Sequence, residues 1–258
     1  MHILRLDGVW HSYHTQDGEF LALQDISFEL RAQESIAILG PSGAGKSTLL
    51  QIIDGLLVPT KGSVYIDNKE LTKPREHTAL ILQDLGLFPW KTVLENTSVG
   101  LEVRGVSKSD AHKKALNYLK KVELDHCAHL YPQELSGGMK QRLALARALI
   151  LDCDLLLMDE PLSALDALLR ERMQDLLIEM QKEYAYAQII VTHSIEEAAL
   201  LGDSIIIMDE KPGRIIDIVN NPKRTTENFR SSQELFEMTN TLRNKLLNVH
   251  LDGDTYVQ

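Results

Sequence analysis

The stretch from Ser35 to Thr48 constrains this chain more than any other. Ser35-Ile36-Ala37-Ile38-Leu39 is a short apolar run without alternation, the pattern of a strand buried on both faces. It leads directly into Gly40-Pro41-Ser42-Gly43-Ala44-Gly45-Lys46-Ser47-Thr48, after which Ser47–Asp54 reads as a helix closed by Gly55. The loop has the spacing G-x-x-x-x-G-K-[ST], and a strand before it with a helix after it is the setting in which that spacing carries meaning. Gly40, Gly43 and Gly45 let backbone N–H groups converge on phosphate oxygens, and the helix N-terminus adds partial positive charge. Lys46 then reaches the β- and γ-phosphates as a point charge, while Ser47 offers a hydroxyl to Mg²⁺.

Elsewhere the apolar pattern alternates between strand and helix. Ile3–Ser12 and Leu23–Leu30 read as strands with Asp17-Gly18 as a turn between them, and Val64–Asp67 and Ala79–Gln83 as two more. After Gln83 the period becomes helical. Val93–Arg104, Asp110–Val122 (capped by Ser107 or Ser109) and Met139–Leu151 are predicted helices. Strand Asp154–Met158, helix Leu168–Tyr184, strand Gln188–Thr192, helix Ile195–Leu201 and strand Ser204–Asp209 follow, and a last strand at Arg214–Val219 comes after the turn Pro212-Gly213. Ser231-x-x-Glu234 has capping-box spacing ahead of a tail helix, Ser232–Asn248. Such alternation predicts an α/β fold with a mainly parallel sheet, interrupted by a helical lobe at about 84–151.

A second chemical signal follows the run Leu155–Met158. Asp159 and Glu160 stand at the C-terminal end of a buried strand, where open α/β sheets bind ligands. Asp159 suits a Mg²⁺ ligand, and Glu160 suits a general base for an attacking water.

Leu135-Ser136-Gly137-Gly138-Met139-Lys140-Gln141-Arg142 resembles the signature peptide of the ATP-binding-cassette (ABC) family, with Met139 where the usual pattern has Gln. The resemblance implies a P-loop ATPase fold with an N-terminal antiparallel β part and an inserted helical subdomain. It also implies a head-to-tail homodimer, in which Ser136, Gly137 and Gly138 face the γ-phosphate held by the other copy. A helix N-terminus flanked by glycines is physically suited to that anion. By the same resemblance Gln83 matches the Q-loop glutamine that links the metal to a membrane partner. Ser163-Ala164-Leu165-Asp166 matches the D-loop, so that Asp166 meets the opposite subunit, and His193 matches the switch histidine of the γ-phosphate. Tyr13 resembles the aromatic residue that stacks on adenine, with Trp10, His11 and His14 as competitors and Trp10 equally readable as core.

The formal net charge of −10 argues against a nucleic-acid partner, whose phosphates require a basic surface. Cys127 and Cys153 are the two cysteines and show no C-x-x-C spacing, so neither a disulfide framework nor a zinc site is indicated. The Asp125–His129 stretch, with its two histidines, reads as ordinary loop composition. Apolar runs are strand-sized, far below the roughly 20 residues of a spanning helix, and the polar N-terminus does not read as a secretory signal.

Matches to the family run from about Ile3 to Val219. The expected organisation is an ATPase domain over 3–221 and a helical tail over 222–258. Leu87-Phe88-Pro89-Trp90, Thr192–Ala198 and Pro212–Ile215 resemble the ATPase subunits of nitrate/sulfonate/taurine-type importers, with Ser194 where many relatives carry Asp. The resemblance implies an ATP- and Mg²⁺-dependent subunit on the cytoplasmic face of the membrane, beneath a permease served by an extracytoplasmic solute-binding protein. An efflux or lipoprotein-release ATPase shares every main motif. A soluble non-transport ABC ATPase is disfavoured by the absence of a long heptad insertion and by the charge. The apolar residues Leu85, Leu87, Phe88 and Trp90 read equally as permease-docking surface and as lobe packing.

Overall fold

The protein was analysed as a computed structural model that describes residues 2–15, 18–210, 212–224, 226 and 228–253. The expected turn at Asp17 lies outside the described residues. In chain order the elements are β1 (His2–Thr15), β2 (Gly18–Arg31), β3 (Ser35–Leu39), α1 (Lys46–Asp54), β4 (Lys61–Ile66), β5 (Lys69–Glu70) and β6 (Thr78–Ile81). There follow α2 (Val93–Val103), α3 (Lys108–Lys121), α4 (Gly137–Leu149), β7 (Leu155–Asp159), α5 (Ala167–Tyr184), β8 (Ala187–Thr192), α6 (Ile195–Leu201), β9 (Ser204–Asp209), β10 (Arg214–Asn220) and α7 (Gln233–Gly253). They form two compact units, one of residues 1–74 with 187–258 and one of residues 75–186.

In the first unit β1 pairs antiparallel with both β2 and β4. β1 and β2 run further than the sequence pattern predicts, because their polar ends pair with each other up to Thr15 opposite Gly18. Asp67 and Asn68, both at positive φ, turn β4 into the two-residue β5, a hairpin too short and polar for apolar periodicity to register. The other strands of this unit follow the predicted parallel logic: β3 pairs parallel with β8 on one side and β9 on the other, and β10 closes antiparallel on β9. Every residue of β3 and β8 is buried, which explains their unbroken apolar runs.

The tail helix α7 packs on this same unit. Leu242 is fully buried and sits with Leu235, Met238 and Leu246 against Ala198, Ala199, Ile205 and Ile207. Lys245 adds an ion pair with Asp217 of β10. The cap of α7 is Ser232, whose Oγ accepts from the Leu235 N–H at 3.3 Å, and not Ser231, whose hydroxyl donates to the Asn228 carbonyl. The capping-box spacing therefore misplaces the helix start by one residue.

In the second unit β6 and β7 are parallel, in register from Thr78 opposite Leu155 to Ile81 opposite Met158. Helices α2, α3 and α4 enclose a core of Val93, Leu119, Val122, Leu124, Cys127, Leu135, Leu143 and Ala146. Cys127 thus belongs to this core, within a short 3-10 turn over Asp125–Cys127. Of the two caps considered for α3, Ser107 is the one used, accepting from the Asp110 N–H.

Candidate active site

The glycine loop closes over its own lysine. Lys46 is 5% exposed, and its Nζ donates to the carbonyl oxygens of Gly40 at 2.8 Å and Pro41 at 2.6 Å. Gly43 and Gly45 both have positive φ (89° and 75°), alternating with ordinary residues so that successive N–H groups turn toward one concavity. Gly45 is also sterically required: a Cβ there would lie 2.6 Å from Leu23 Cδ2 and 2.8 Å from the Ala22 carbonyl oxygen. Ser42, Gly43 and Ser47 are exposed, whereas Ala44 is buried. Tyr13 of β1 reaches the same segment, its hydroxyl 3.1 Å from Thr48 Oγ1 and its ring edge-on to His11 at 4.8 Å. Trp10 is half-buried beneath Lys61 Nζ, and His14 is exposed.

β3 and β8 deliver two of the predicted groups side by side. Leu39 pairs in register with Thr192, so Gly40 and His193 leave neighbouring parallel strands at the same end. His193 is exposed, on a turn fixed from behind by a buried network. Thr192 Oγ1 donates to Glu197 Oε2 at 2.7 Å and accepts from the Ser194 N–H at 3.0 Å, and Ser194 Oγ accepts from the Glu197 N–H at 3.3 Å. Ser194 therefore caps α6, as expected for a serine standing in for aspartate.

The second unit repeats the arrangement. With Ile81 paired to Met158, Gln83 and Glu160 each stand two residues beyond that last pair. β6 stops at Ile81, so Gln83 lies in the following turn and not in the strand as predicted, and it is exposed. Asp159 is 8% exposed at the last position of β7. Glu160 adopts φ 46°, a left-handed conformation that costs a non-glycine residue roughly 1–3 kcal/mol and recurs at functional sites. Its carbonyl accepts from Ser163 N–H at 3.3 Å and from Ser163 Oγ at 3.0 Å, which holds that turn.

Ser136 caps α4 by accepting from the Met139 N–H at 3.4 Å. Ser136 and Gly137 are exposed and Gly138 is buried, so two groups of the signature peptide open to solvent and the third faces inward. Met139 packs against the lobe core, giving the departure from the family pattern a local use. Asp166 caps α5, accepting from the Leu169 N–H at 3.0 Å.

Several supporting residues carry no signal in local spacing. Leu23 lies under Gly45, and a side chain on Gly213 would meet the Ala44 carbonyl oxygen at 2.3 Å, which braces the glycine loop from behind. The Pro-Gly pair marks a turn there but not its target. Asn96, fully buried, accepts from the Phe88 N–H and donates to the carbonyls of Phe88, Lys91 and Thr92. Arg147 donates at 2.6 Å to each of the Leu85 and Gly86 carbonyls, pinning the segment after Gln83 to α4.

A buried strand, a lysine-closed glycine loop and a helix define a P-loop nucleotide-binding protein. Residues 23–163 match the family described as ABC transporter, and the chain belongs to it: this is an ATPase, the ATP-binding subunit type of ABC transporters. It is 46% identical over 194 residues to the taurine import ATP-binding protein TauB of Roseobacter denitrificans, covering 75% of this chain and 72% of that one. It is 39% identical over 228 residues to the nitrate transport protein NasD of Klebsiella oxytoca, covering 86% and 87% respectively. Among solved structures, the dimeric ATP-binding cassette MJ0796 bound to ADP and Pi superposes with a TM-score of 0.76 at 33% identity, over 84% of this chain and 98% of that one. The cbiO1 protein of Clostridium perfringens, part of the transporter complex cbiONQ, does so at 0.76 and 31%, over 98% and 99%.

Proposed function

We propose that this chain is the ATP-hydrolysing subunit of an importer for a small solute of the nitrate/sulfonate/taurine type. The observation that carries the import reading is the likeness to TauB and NasD over most of both chains. Among the described residues no helix is long and apolar enough to cross a membrane, and we assign the membrane path to permease subunits. We place the chain at the cytoplasmic face of the membrane, as a head-to-tail homodimer with a solute-binding protein acting on the far side.

The residues divide the chemistry as follows. Tyr13 stacks on adenine, and the N–H groups of 40–48 with Lys46 bind the phosphates. Glu160 takes the proton of a water whose oxygen attacks the γ-phosphorus, while the bond to the β–γ bridging oxygen breaks and ADP leaves. His193 and, from the second copy, Ser136, Gly137 and Gly138 meet the charge on the γ-phosphoryl oxygens. Asp166 contacts the other copy, and Gln83 passes the state of the site to the permease.

The donors suit magnesium. Ser47 offers one hydroxyl, Gln83 an amide oxygen and Asp159 one carboxylate, and no group of three or more His, Cys, Asp or Glu among the described residues could hold a metal. An ion that takes its remaining ligands from phosphate and water fits that poverty of donors. When bound it supplies neutralisation of phosphate charge.

Three experiments test this reading. A Lys46→Ala chain and a Ser136→Arg chain, each inactive alone, should recover ATPase activity when mixed, because one of the two composite sites is then intact. No recovery in demonstrated heterodimers would exclude the head-to-tail site. Reconstitution with the neighbouring permease should give ATP-dependent uptake of taurine, another sulfonate or nitrate; ATP-driven extrusion would reverse the direction. Leu87 joins the lobe core and Trp90 is 70% exposed, so the permease is expected to meet Trp90. Trp90→Ser should therefore reduce membrane co-purification.

A further inference from the structure

The hairpin of β1 and β2 brings a second aromatic residue beside Tyr13. Tyr13 pairs directly with Phe20, and the register around them is unbroken from Ser12 opposite Leu21 to Thr15 opposite Gly18. Residues directly opposite each other in an antiparallel pair project to the same face, with Cβ atoms about 5 Å apart. Tyr13 marks which face this is, because its hydroxyl lies 3.1 Å from Thr48 Oγ1 in the first turn of α1. Phe20 therefore stands on the side of the hairpin that looks toward the phosphate-loop helix.

The two aromatic residues are held differently. Tyr13 is half-buried and braced by Thr48 and by the edge-on ring of His11 at 4.8 Å. His11 is itself buried, with its Nδ1 3.1 Å from the Val58 carbonyl oxygen, so the Tyr13 ring has a firm backing. Phe20 is 50% exposed. A single exposed apolar side chain is ordinary on a protein surface. What distinguishes Phe20 is its direct pairing with the residue that carries the adenine stacking in the proposed function.

We propose that Phe20 is a second nucleobase contact, whose phenyl ring is covered when a base rests on Tyr13. Side chains about 5 Å apart lie within the span of one purine, so a base stacked on Tyr13 reaches its cross-strand neighbour. A phenyl ring has a π-face but neither donor nor acceptor. The contact therefore raises affinity for purine nucleotides without choosing between adenine and guanine. This rests on the reading that Tyr13 stacks on the base, and it extends that subsite across the hairpin to β2.

The test is equilibrium titration of the purified full chain with Mg²⁺ and three ligands: a non-hydrolysable ATP analogue, the corresponding GTP analogue and inorganic triphosphate. Phe20→Ser should weaken both nucleotides about three- to tenfold, by the same factor within about twofold. Its affinity for triphosphate should stay within about twofold, because the phosphate loop is untouched. Phe20→Tyr keeps the ring and should bind all three ligands within about twofold of the parent chain. Unchanged nucleotide affinity in Phe20→Ser overturns the proposal. A loss shared by triphosphate also overturns it, since the damage then lies in the fold of the hairpin, and melting midpoints taken alongside identify that case. A loss confined to one purine excludes a purely apolar contact, and Phe20→Tyr binding as weakly as Phe20→Ser excludes the ring. Tyr13→Ala is the control for the underlying reading. Parental affinity for the ATP analogue in that variant sinks the base subsite itself, whereas a loss there with none in Phe20→Ser removes Phe20 alone.

Discussion

The hydroxyl of Tyr13 lies 3.1 Å from Thr48 Oγ1, tying an aromatic ring on the N-terminal antiparallel sheet to the first turn of the phosphate-loop helix. The ring is thereby aimed from the side of the loop, and the neighbouring edge-on His11 limits its rotation. Stacking of a base on an aromatic side chain contributes roughly 1–3 kcal/mol, so Tyr13→Ala should weaken ATP binding by about fivefold or more. Tyr13→Phe keeps the ring and loses only one hydroxyl contact, and should change affinity by less than about threefold. Titration with a fluorescent ATP analogue compares them; wild-type affinity in Tyr13→Ala would transfer the stacking role to Trp10 or a histidine.

Glu160 holds a left-handed backbone at the exit of β7, with its carbonyl fixed by Ser163. Glutamine keeps size and backbone but cannot accept a proton. Glu160→Gln should reduce turnover by about 10²- to 10⁴-fold while leaving ATP affinity within a few-fold. Size-exclusion chromatography with Mg-ATP should show the variant shifted to dimer. Near-normal hydrolysis would remove Glu160 as the base.

Asn96 is a structural keystone of the second unit, satisfying Phe88, Lys91 and Thr92 from a fully buried position. Alanine would take the side-chain partner from the Phe88 N–H and the Lys91 carbonyl, while the Phe88 and Thr92 carbonyls keep the backbone donors of Lys91 and Asn96, and Asn96→Ala should cost about 1–3 kcal/mol in denaturant unfolding. Leu, of similar volume but without donors, should do no better. A loss below about 0.5 kcal/mol would mean that water replaces the amide.

Burial at the end of α1 raises the Asp54 carboxyl to about 6 from 3.8. The folded state therefore binds a proton that the unfolded state has already released between these values. Stability contributed at this site is full below about pH 4 and falls as pH rises through about 6. Asp54→Asn removes the penalty, and after allowing for solvent screening of a half-buried group should stabilise by on the order of 1 kcal/mol at pH 7.5. The gain should vanish below about pH 4. Thermal melts across that range test the sign, and an equal gain at both ends would exclude ionisation as its cause.

Arg147 shows where reading from spacing ends. Its helix was legible from periodicity, as were the strand–loop–helix unit, the Asp159-Glu160 pair and the cap Ser194, because each is fixed within a few residues of chain. A glycine loop before a helix collects N–H groups whatever surrounds it, and parallel strands bury both faces and so read as unbroken apolar runs. That Arg147 grips the Leu85 and Gly86 carbonyls, some sixty residues back, is written in no local pattern.

The same division runs through the whole chain. Sequence by itself determined the α/β alternation, the phosphate loop and the residues proposed to carry the chemistry. Tertiary structure alone decided that Leu23 sits under Gly45 and that Gly213 abuts Ala44. It also moved the tail cap from Ser231 to Ser232 and left Gln83 beyond its strand. The reason is physical: hydrogen-bond caps and dipoles act along the chain, whereas close packing depends on which distant surfaces meet, and a glycine kept for a remote carbonyl looks in sequence like one kept for a ligand.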